Sequence, residues 1–417
     1  MNEIRDILIG IDFGRDESQI CYYDRKSAEP LSVSMKVGTS QYEFPTCICR
    51  RVPRNDWCFG REAEYFAREH EGVLVENLYE ICAGSEPVMV GDEEMMPWEL
   101  MKIFLDKVLK TLGTIEPVKH TKCLVITVDQ LTGSMVENLQ RACGELGFAR
   151  GHYMLQDYSE SFYFYTLSQR AEYWSRNVAW FAFTTESVQF RRLSMGSGTR
   201  PVLVSLGEPV QTELSTDPDL RDMEFYQFLM HTMGNDIYSS IFITGQGFNQ
   251  EWAVKSVPLL CKQKRKVFFG TNMFAKGACY TAKEKLEDHR LKGYLYAGDA
   301  LVKTNIGMDM MVMGSPAFHS LIAAGNNWYE TMAECEMILD DREDLVFTLT
   351  RMESGEKKRI CMSLPGLPKR PNRTTRLKVE MVFRSPEECR VSVHDLGFGD
   401  MYPSEGRVWS EIIKWEE

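Results

Sequence analysis

The stretch Ile7-Leu8-Ile9-Gly10-Ile11-Asp12-Phe13-Gly14 decides how the rest of the chain is read. Its aliphatic run, broken only by Gly10, predicts a buried strand, and Asp-Phe-Gly predicts the turn that ends it. Such a turn brings backbone amides and one carboxylate to a ligand. A strand-end Asp commonly holds a hydrated metal, and a nearby glycine lets the chain approach a phosphate closely. Any buried strand leading into an Asp/Gly turn reads the same way without a ligand, so the meaning of this stretch depends on the residues downstream of it.

Working outward, strands alternate with helices. Cys123-Leu-Val-Ile-Thr-Val128 reads as a buried strand. Pro97 opens a helix with Met101, Phe104, Leu105 and Val108 on one face, and Ser134-x-x-Glu137 reads as a capping box for another. A second alternation runs from Val178-Ala-Trp-Phe-Ala-Phe183 through a helix over 222–240. It reaches Ile241-Phe-Ile-Thr-Gly-Gln-Gly247, which repeats the opening theme of a strand running into a glycine turn. This alternation predicts an α/β region over residues 1–298. From about Leu301 the period changes to two, as in Val302, Thr304, Ile306 and Met308 or Leu377, Val379, Met381 and Phe383. That pattern predicts a C-terminal all-β sandwich over 299–417.

The chain has 417 residues and a net charge of −12, which argues against nucleic acid or an anionic membrane as a partner. The N-terminus, Met-Asn-Glu-Ile-Arg-Asp, has neither a basic nor an apolar leader region. The uncharged run from Met310 to Tyr329 is interrupted by Gly314, Pro316 and Gly325, so it reads as strand, turn and helix rather than a membrane span. Twelve scattered cysteines fit free thiols in a reducing, cytoplasmic setting. Cys47, Cys49 and Cys58 lack metal-ligand spacing, and no metal site is expected.

The order and residues of these elements resemble the actin/sugar-kinase/heat-shock-chaperone ATPase superfamily, and within it the DnaK-type chaperones without their helical lid. Gly10-Ile-Asp-Phe-Gly14 resembles the first phosphate motif of that superfamily. Phe44-Pro-Thr46 and Gly60-Arg-Glu-Ala63 take the places of two further signatures. Ile243-Thr-Gly-Gln-Gly247 resembles the adenosine motif, and Leu364-Pro-Gly-Leu-Pro368 through Val393 resembles the peptide-binding β domain. The resemblance implies an α/β two-lobed actin-like ATPase fold followed by the β-sandwich, with a reduced adenine-clamping subdomain. It also implies a site for ATP or ADP with magnesium at Asp12, Phe13, Gly14, Arg15, Gly245, Gln246 and Gly247, and a protein or peptide partner.

The departures from the family pattern carry as much weight. Where the family has a second Asp and a glycine run, this chain has Ala182-Phe-Thr-Thr-Glu-Ser187. Side chains there crowd a phosphate, and Glu186 repels it. Arg15 and Asp16 replace a hydroxyl pair; Arg15 either donates to a phosphate or pairs with Asp12 or Asp16 and fills the site. No lysine occurs between Lys36 and Lys102, and Asp157 is the one nameable base in the cleft. Phosphoryl transfer depends on positioning and charge neutralisation, so these losses together predict a pseudo-ATPase with no catalytic residue, acting by binding. The alternatives are a nucleotide switch or weak ATPase that uses Asp12 and Arg15, and a small-molecule kinase of the same superfamily with Asp157 as its base. In the β region, Trp328, Tyr329 and Tyr402 are the aromatics a binding face would use, and Asp395-Leu-Gly-Phe-Gly399 reads as a bent strand end.

Overall fold

The computed structural model describes residues 6–415 except 37, 53, 114, 115, 197 and 353; Met1 to Arg5, most of the N-terminal stretch read for a leader region, lie outside the described residues. The chain divides into two compact units, Met1–Tyr296 and Ala297–Glu417.

In the first unit the opening strand, Ile7–Asp12, lies at the centre of a mixed sheet. On one side it runs parallel to Thr121–Val128, and that strand runs parallel to Tyr153–Asp157. On the other it pairs antiparallel with Glu17–Asp24, which pairs with Glu29–Ser32. A second sheet repeats this order. Asn177–Phe183 runs parallel to Tyr238–Thr244 and, beyond it, Lys266–Phe269, and pairs antiparallel with Ser187–Met195 and then Val202–Leu206.

The helices Tyr158–Leu167 and Met273–Lys283 serve both sheets. Phe162 and Met273 join Val178, Trp180 and Phe242 in one core, while Ala278 and Ala282 join Leu8, Cys123 and Val125 in another. The two helices approach closely because Gly277 has no side chain; a Cβ there would lie 2.2 Å from Ser161 Oγ. Gly10 is needed for a similar reason, since its Cβ would lie 2.2 Å from the Ala275 carbonyl. The other face of the second sheet carries Ala179, Phe181 and Phe183 against Phe225, Phe228 and Leu229 of the helix Pro218–Met233. The period of two in Val178 to Phe183 thus supplies two different cores from one strand.

The expected α/β two-lobed actin-like fold is corrected by this structure. Strands take 40% of the chain and helices 25%, and the strands are spread over many small sheets. The cause is local. Short segments between turns pair with their sequence neighbours as antiparallel ribbons instead of feeding crossover helices. Ile48–Arg51, Asp56–Phe59 and Gly72–Val75 form one such sheet, and Val88–Val90 with Glu93–Met95 forms another.

Boundaries move as well. The helix expected over 222–240 is Pro218–Met233, started by Asp217, whose side chain accepts from the Asp219 and Leu220 amides. The capping box at Ser134 is replaced by Thr132, whose hydroxyl accepts from Met135 N at 3.2 Å. Cys47, Cys49 and Cys58 share one apolar cluster with Ala63, and burial pushes the Cys47 and Cys58 thiols up to about 12.

The second unit holds two four-stranded antiparallel sheets. One orders Ser315–Ile322, Thr304–Val312, Asp344–Arg351 and Lys357–Ser363; the other orders Met332–Leu339, Thr375–Ser385, Glu388–Gly397 and Val408–Lys414. The helix expected within 310–329 is instead the hairpin strand Ser315–Ile322, followed by one short turn of 3₁₀ helix at Trp328–Glu330. Alternate residues Leu377, Val379, Met381 and Phe383 are buried with Val391 and Val393 opposite. The bent end at Asp395 is tied down by charge. Arg370 donates to both Asp395 carboxylate oxygens, at 2.6 and 2.8 Å, and Asp395 also accepts from the Gly397 and Glu405 amides. Trp328 is buried rather than displayed on a face.

Candidate functional site

Parallel strands of both sheets in the first unit end around one cavity of about 370 Å³. Asp12, Ala182, Phe183 and Thr244 reach it from strand ends, and Asp129 from just beyond Val128. Tyr158 and Phe274 reach it from the first turns of the two shared helices. Ligand sites in open sheets recur at such carboxyl ends, because loops there are free to vary while strands hold them rigidly.

Asp12 is the centre of this site. It is 6% exposed, and its Oδ1 has no hydrogen-bond partner. Burial raises its carboxyl to about 7; a hydrogen bond from Tyr158 pulls the other way, and the nearby Asp129 charge adds to the rise. Its cross-strand neighbour Gln19 is 5% exposed and has a similar deficit. Gln19 Nε2 donates to the Thr271 carbonyl at 2.7 Å, which fixes the amide and leaves its Oε1 without a partner.

Charge around the cavity is mainly negative. Glu17, Glu43 and Asp129 line it with Asp12, and burial followed by the Glu43 charge raises Glu17. Arg191 is the lining cation among the described residues, and its guanidinium is engaged by Ser159 Oγ at 2.7 Å and the carbonyls of Gly207 and Leu206.

Of the residues expected to bind nucleotide, Asp12, Gly245 and Gln246 line the cavity, whereas Phe13, Gly14, Arg15 and Gly247 are not part of its lining. Phe13 points into the core, stacked on Tyr79 at 5.5 Å and edge-on to Phe104 at 5.3 Å. Arg15 pairs neither with Asp12 nor with Asp16. It bonds Glu80 at 2.5 Å and Asp129 at 3.2 Å and lies over the Tyr79 ring, outside the cavity lining. Gly14 is held close to the Glu17 carbonyl, 2.2 Å from where its Cβ would be. Asp157 caps its own helix by accepting from Glu160 N at 2.7 Å and does not line the cavity.

Gly245 and Gly247 are required for a different reason from the expected one. Gly245 has φ +87°, and a Cβ there would lie 1.9 Å from the Phe183 carbonyl; at Gly247 it would lie 1.8 Å from the Thr184 carbonyl. Their missing side chains admit the neighbouring strand end, and Gly245 also lines the cavity. Gln246 lines the cavity and donates to Glu17 at 2.6 Å.

The turn Thr184 to Ser187 is closed on itself. Thr184 Oγ1 accepts from the amides of Glu186 and Ser187, at 3.2 and 2.9 Å, and Thr184 N donates to the Ser187 carbonyl. A phosphate loop needs free amides, and these three are used. From below, buried Arg221 donates to the carbonyls of Thr184, Thr185, Ser215 and Gly247, locking this turn to the glycine turn. Thr184 and Glu186 do not fill the cavity. The Thr184–Ser187 turn thus has three of its amides committed to itself, while the cavity beside it stays open. Motif and spacing do not single out Gln19, Glu43, Arg191 or Arg221. Only Gln19 carried a signal, as a polar residue within an apolar strand.

The fold and the cavity define a two-unit chain whose first unit holds a buried acidic pocket at the ends of its strands. Residues 29–299, well over half of the chain, match the family described as "Family of unknown function (DUF5716) C-terminal", and the chain belongs to that family. Residues 301–415 match the domain described as "Domain of unknown function (DUF8552)". No curated protein matches the chain. Among the described residues, no helix is long and apolar enough to cross a membrane.

Proposed function

We propose that this protein works by binding rather than by catalysis, and that it recognises a protein partner without ATP chemistry. The observation that carries this reading is the closed Thr184–Ser187 turn beside a cavity lined by four carboxylates and one engaged guanidinium. A triphosphate brought there meets like charge in a partly desolvated space, where repulsion is far stronger than in water. Three amides of that turn are already used, and no lysine lines the cavity among the described residues to offset it.

A protein partner is favoured by the hairpin Thr304–Val312 and Ser315–Ile322. Its tip exposes Met311, Val312, Met313 and Phe318, and contiguous apolar groups on a surface mark contact sites for other proteins. The flexible, polarisable methionines suit an adaptable contact.

The test is a thermal-shift and hydrolysis assay with millimolar ATP and magnesium. No turnover and no stabilisation are expected. Turnover that Asp12→Ala abolishes would establish an ATPase and end this reading. For the partner, Met313→Glu with Phe318→Glu is expected to leave the melting temperature unchanged while weakening binding to any partner isolated with the native chain. Undiminished binding would remove the hairpin from the reading.

A further inference from the structure

The cavity in the first unit carries more negative than positive charge, and two of its buried acceptors lack donors; together these describe its ligand. Asp12 Oδ1 and Gln19 Oε1 are buried acceptors without partners, on residues directly opposite each other across an antiparallel strand pair. Such cross-strand side chains stand about 5 Å apart at Cβ, within reach of one donor group. Leaving a buried acceptor unsatisfied costs about 1–3 kcal/mol, so two together are a standing demand for a donor.

The Gln19 amide cannot turn over to relieve this, because its nitrogen is committed to the Thr271 carbonyl. Two of the lining donors are already engaged with other groups. Trp180 Nε1 is given to Thr244 Oγ1 at 2.9 Å, and Arg191 to Ser159, Gly207 and Leu206.

Aromatic rings complete the enclosure. Tyr158 stacks on Phe274 at 4.0 Å, with Trp180 edge-on to Phe274 at 5.6 Å and Phe183 on the same lining. Ring faces and carboxylates both favour a cation, and a pocket of this size is near the lower end of the about 300–1,000 Å³ typical of small-molecule sites. A hard divalent ion fits less well. It takes about six or more oxygens, and no group of three His, Cys, Asp or Glu side chains with metal-holding geometry occurs among the described residues.

We infer that the cavity binds a small organic primary ammonium, whose N–H groups bond Asp12 and Gln19 and whose carbon chain lies along Tyr158, Phe274 and Trp180. This goes beyond the proposed binding function and rests on one part of it, that the cavity does not take ATP.

Burial also gives the site a pH response. Asp12 is faced by Tyr158 from its helix, Asp129 from beyond the neighbouring strand, Glu17 and Cys21 from the paired strand, and Arg191 and Glu43 across the cavity. With its carboxyl raised to about 7, Asp12 is ionised above neutrality and protonated below it. The charged form holds the ammonium.

The experiment is calorimetric titration of the full chain with n-butylamine, 1,4-diaminobutane, tetramethylammonium and magnesium chloride, at about pH 8 and about pH 6. Expected is saturable binding of one primary amine per chain, about tenfold weaker at the lower pH, and weakened at least about tenfold by Asp12→Asn and by Gln19→Leu. Tetramethylammonium has no N–H and is expected to bind more weakly than butylamine.

The inference is overturned if neither amine binds at about 10 mM, if tetramethylammonium binds as tightly as butylamine, if magnesium binds and the amines do not, or if Asp12→Asn leaves amine affinity unchanged. Asp12→Asn removes an ionisation cost and keeps the side-chain size, so it is expected to fold; its circular dichroism verifies that. An ATP titration in parallel separates the two proposals. ATP binding defeats the nucleotide-free reading, whereas amine failure without ATP binding defeats this inference alone.

Discussion

Asp12 in the first unit and Asp395 in the second are both buried carboxylates at strand ends, and they meet opposite conditions. Asp395 is held by a two-pronged bond from Arg370 and two backbone amides, and the guanidinium leads in lowering its carboxyl to about 2. Asp12 has the Tyr158 hydroxyl on one side, a bare oxygen on the other, and a carboxyl raised to about 7. The difference separates a polar group used to hold a fold from one left in need of a partner. Satisfied networks fix structure, while an unsatisfied group that faces a cavity marks a place for a ligand.

Removing one member of the satisfied pair should have the largest effect. Arg370→Met leaves Asp395 charged, buried and without its cation, and is expected to cost about 3–5 kcal/mol in urea unfolding at neutral pH. A loss below about 1 kcal/mol would mean that the pair does not organise the bent strand end. Acid should act the same way on the native chain. Asp395 has a lowered carboxyl, so its contribution is present above the unfolded value near 4 and is lost as pH falls towards about 2.

Asp12 should behave in the opposite sense. Its folded value lies above its unfolded value of 3.8, so the folded state holds the proton more tightly. Its contribution is present below about pH 4 and is lost as pH rises through about 7. Asp12→Asn is therefore expected to stabilise the protein by about 2–4 kcal/mol near pH 8 and hardly at all near pH 4. Equal effects at both pH values would erase the contrast with Asp395.

Smaller changes sharpen the contrast. Thr184→Val keeps the shape of the side chain and removes the acceptor for two amides. It is expected to cost about 1–2 kcal/mol, read by chemical denaturation, because those amides lose their partner. Arg15→Gln breaks half-exposed pairs with Glu80 and Asp129 and is expected to change stability by no more than about 1 kcal/mol. A larger loss would place Arg15 among the groups that hold the fold.

The strands around the cavity are legible in the sequence because apolar runs such as Ile7–Ile11, Leu124–Val128 and Ile241–Ile243 exceed what an exposed segment carries. Position 12 is legible too, as an Asp at the end of such a run. The small antiparallel sheets are not legible, because runs of three or four residues have too few periods to distinguish a ribbon from the entry to a helix.

The glycine turn is ambiguous in sequence for a physical reason. A glycine is needed wherever backbone approaches closely, and the sequence does not say whether a phosphate or another strand does the approaching. At Gly245 it is Phe183. Long-range register is the other hidden quantity. The pairing that sets Gln19 opposite Asp12, and the folding that brings Glu43 and Arg191 to the same cavity, depend on contacts that local spacing does not encode.

The state of Asp12 can be measured directly by carbon-13 NMR titration of its side-chain carboxyl, assigned by its disappearance in Asp12→Asn. An apparent pKa near 7 is the expected result for a buried carboxyl with an unpartnered oxygen in an acidic cavity. A value at or below about 4 would show that Asp12 is solvated or paired, and would contradict the reading of the cavity as a site that awaits a donor.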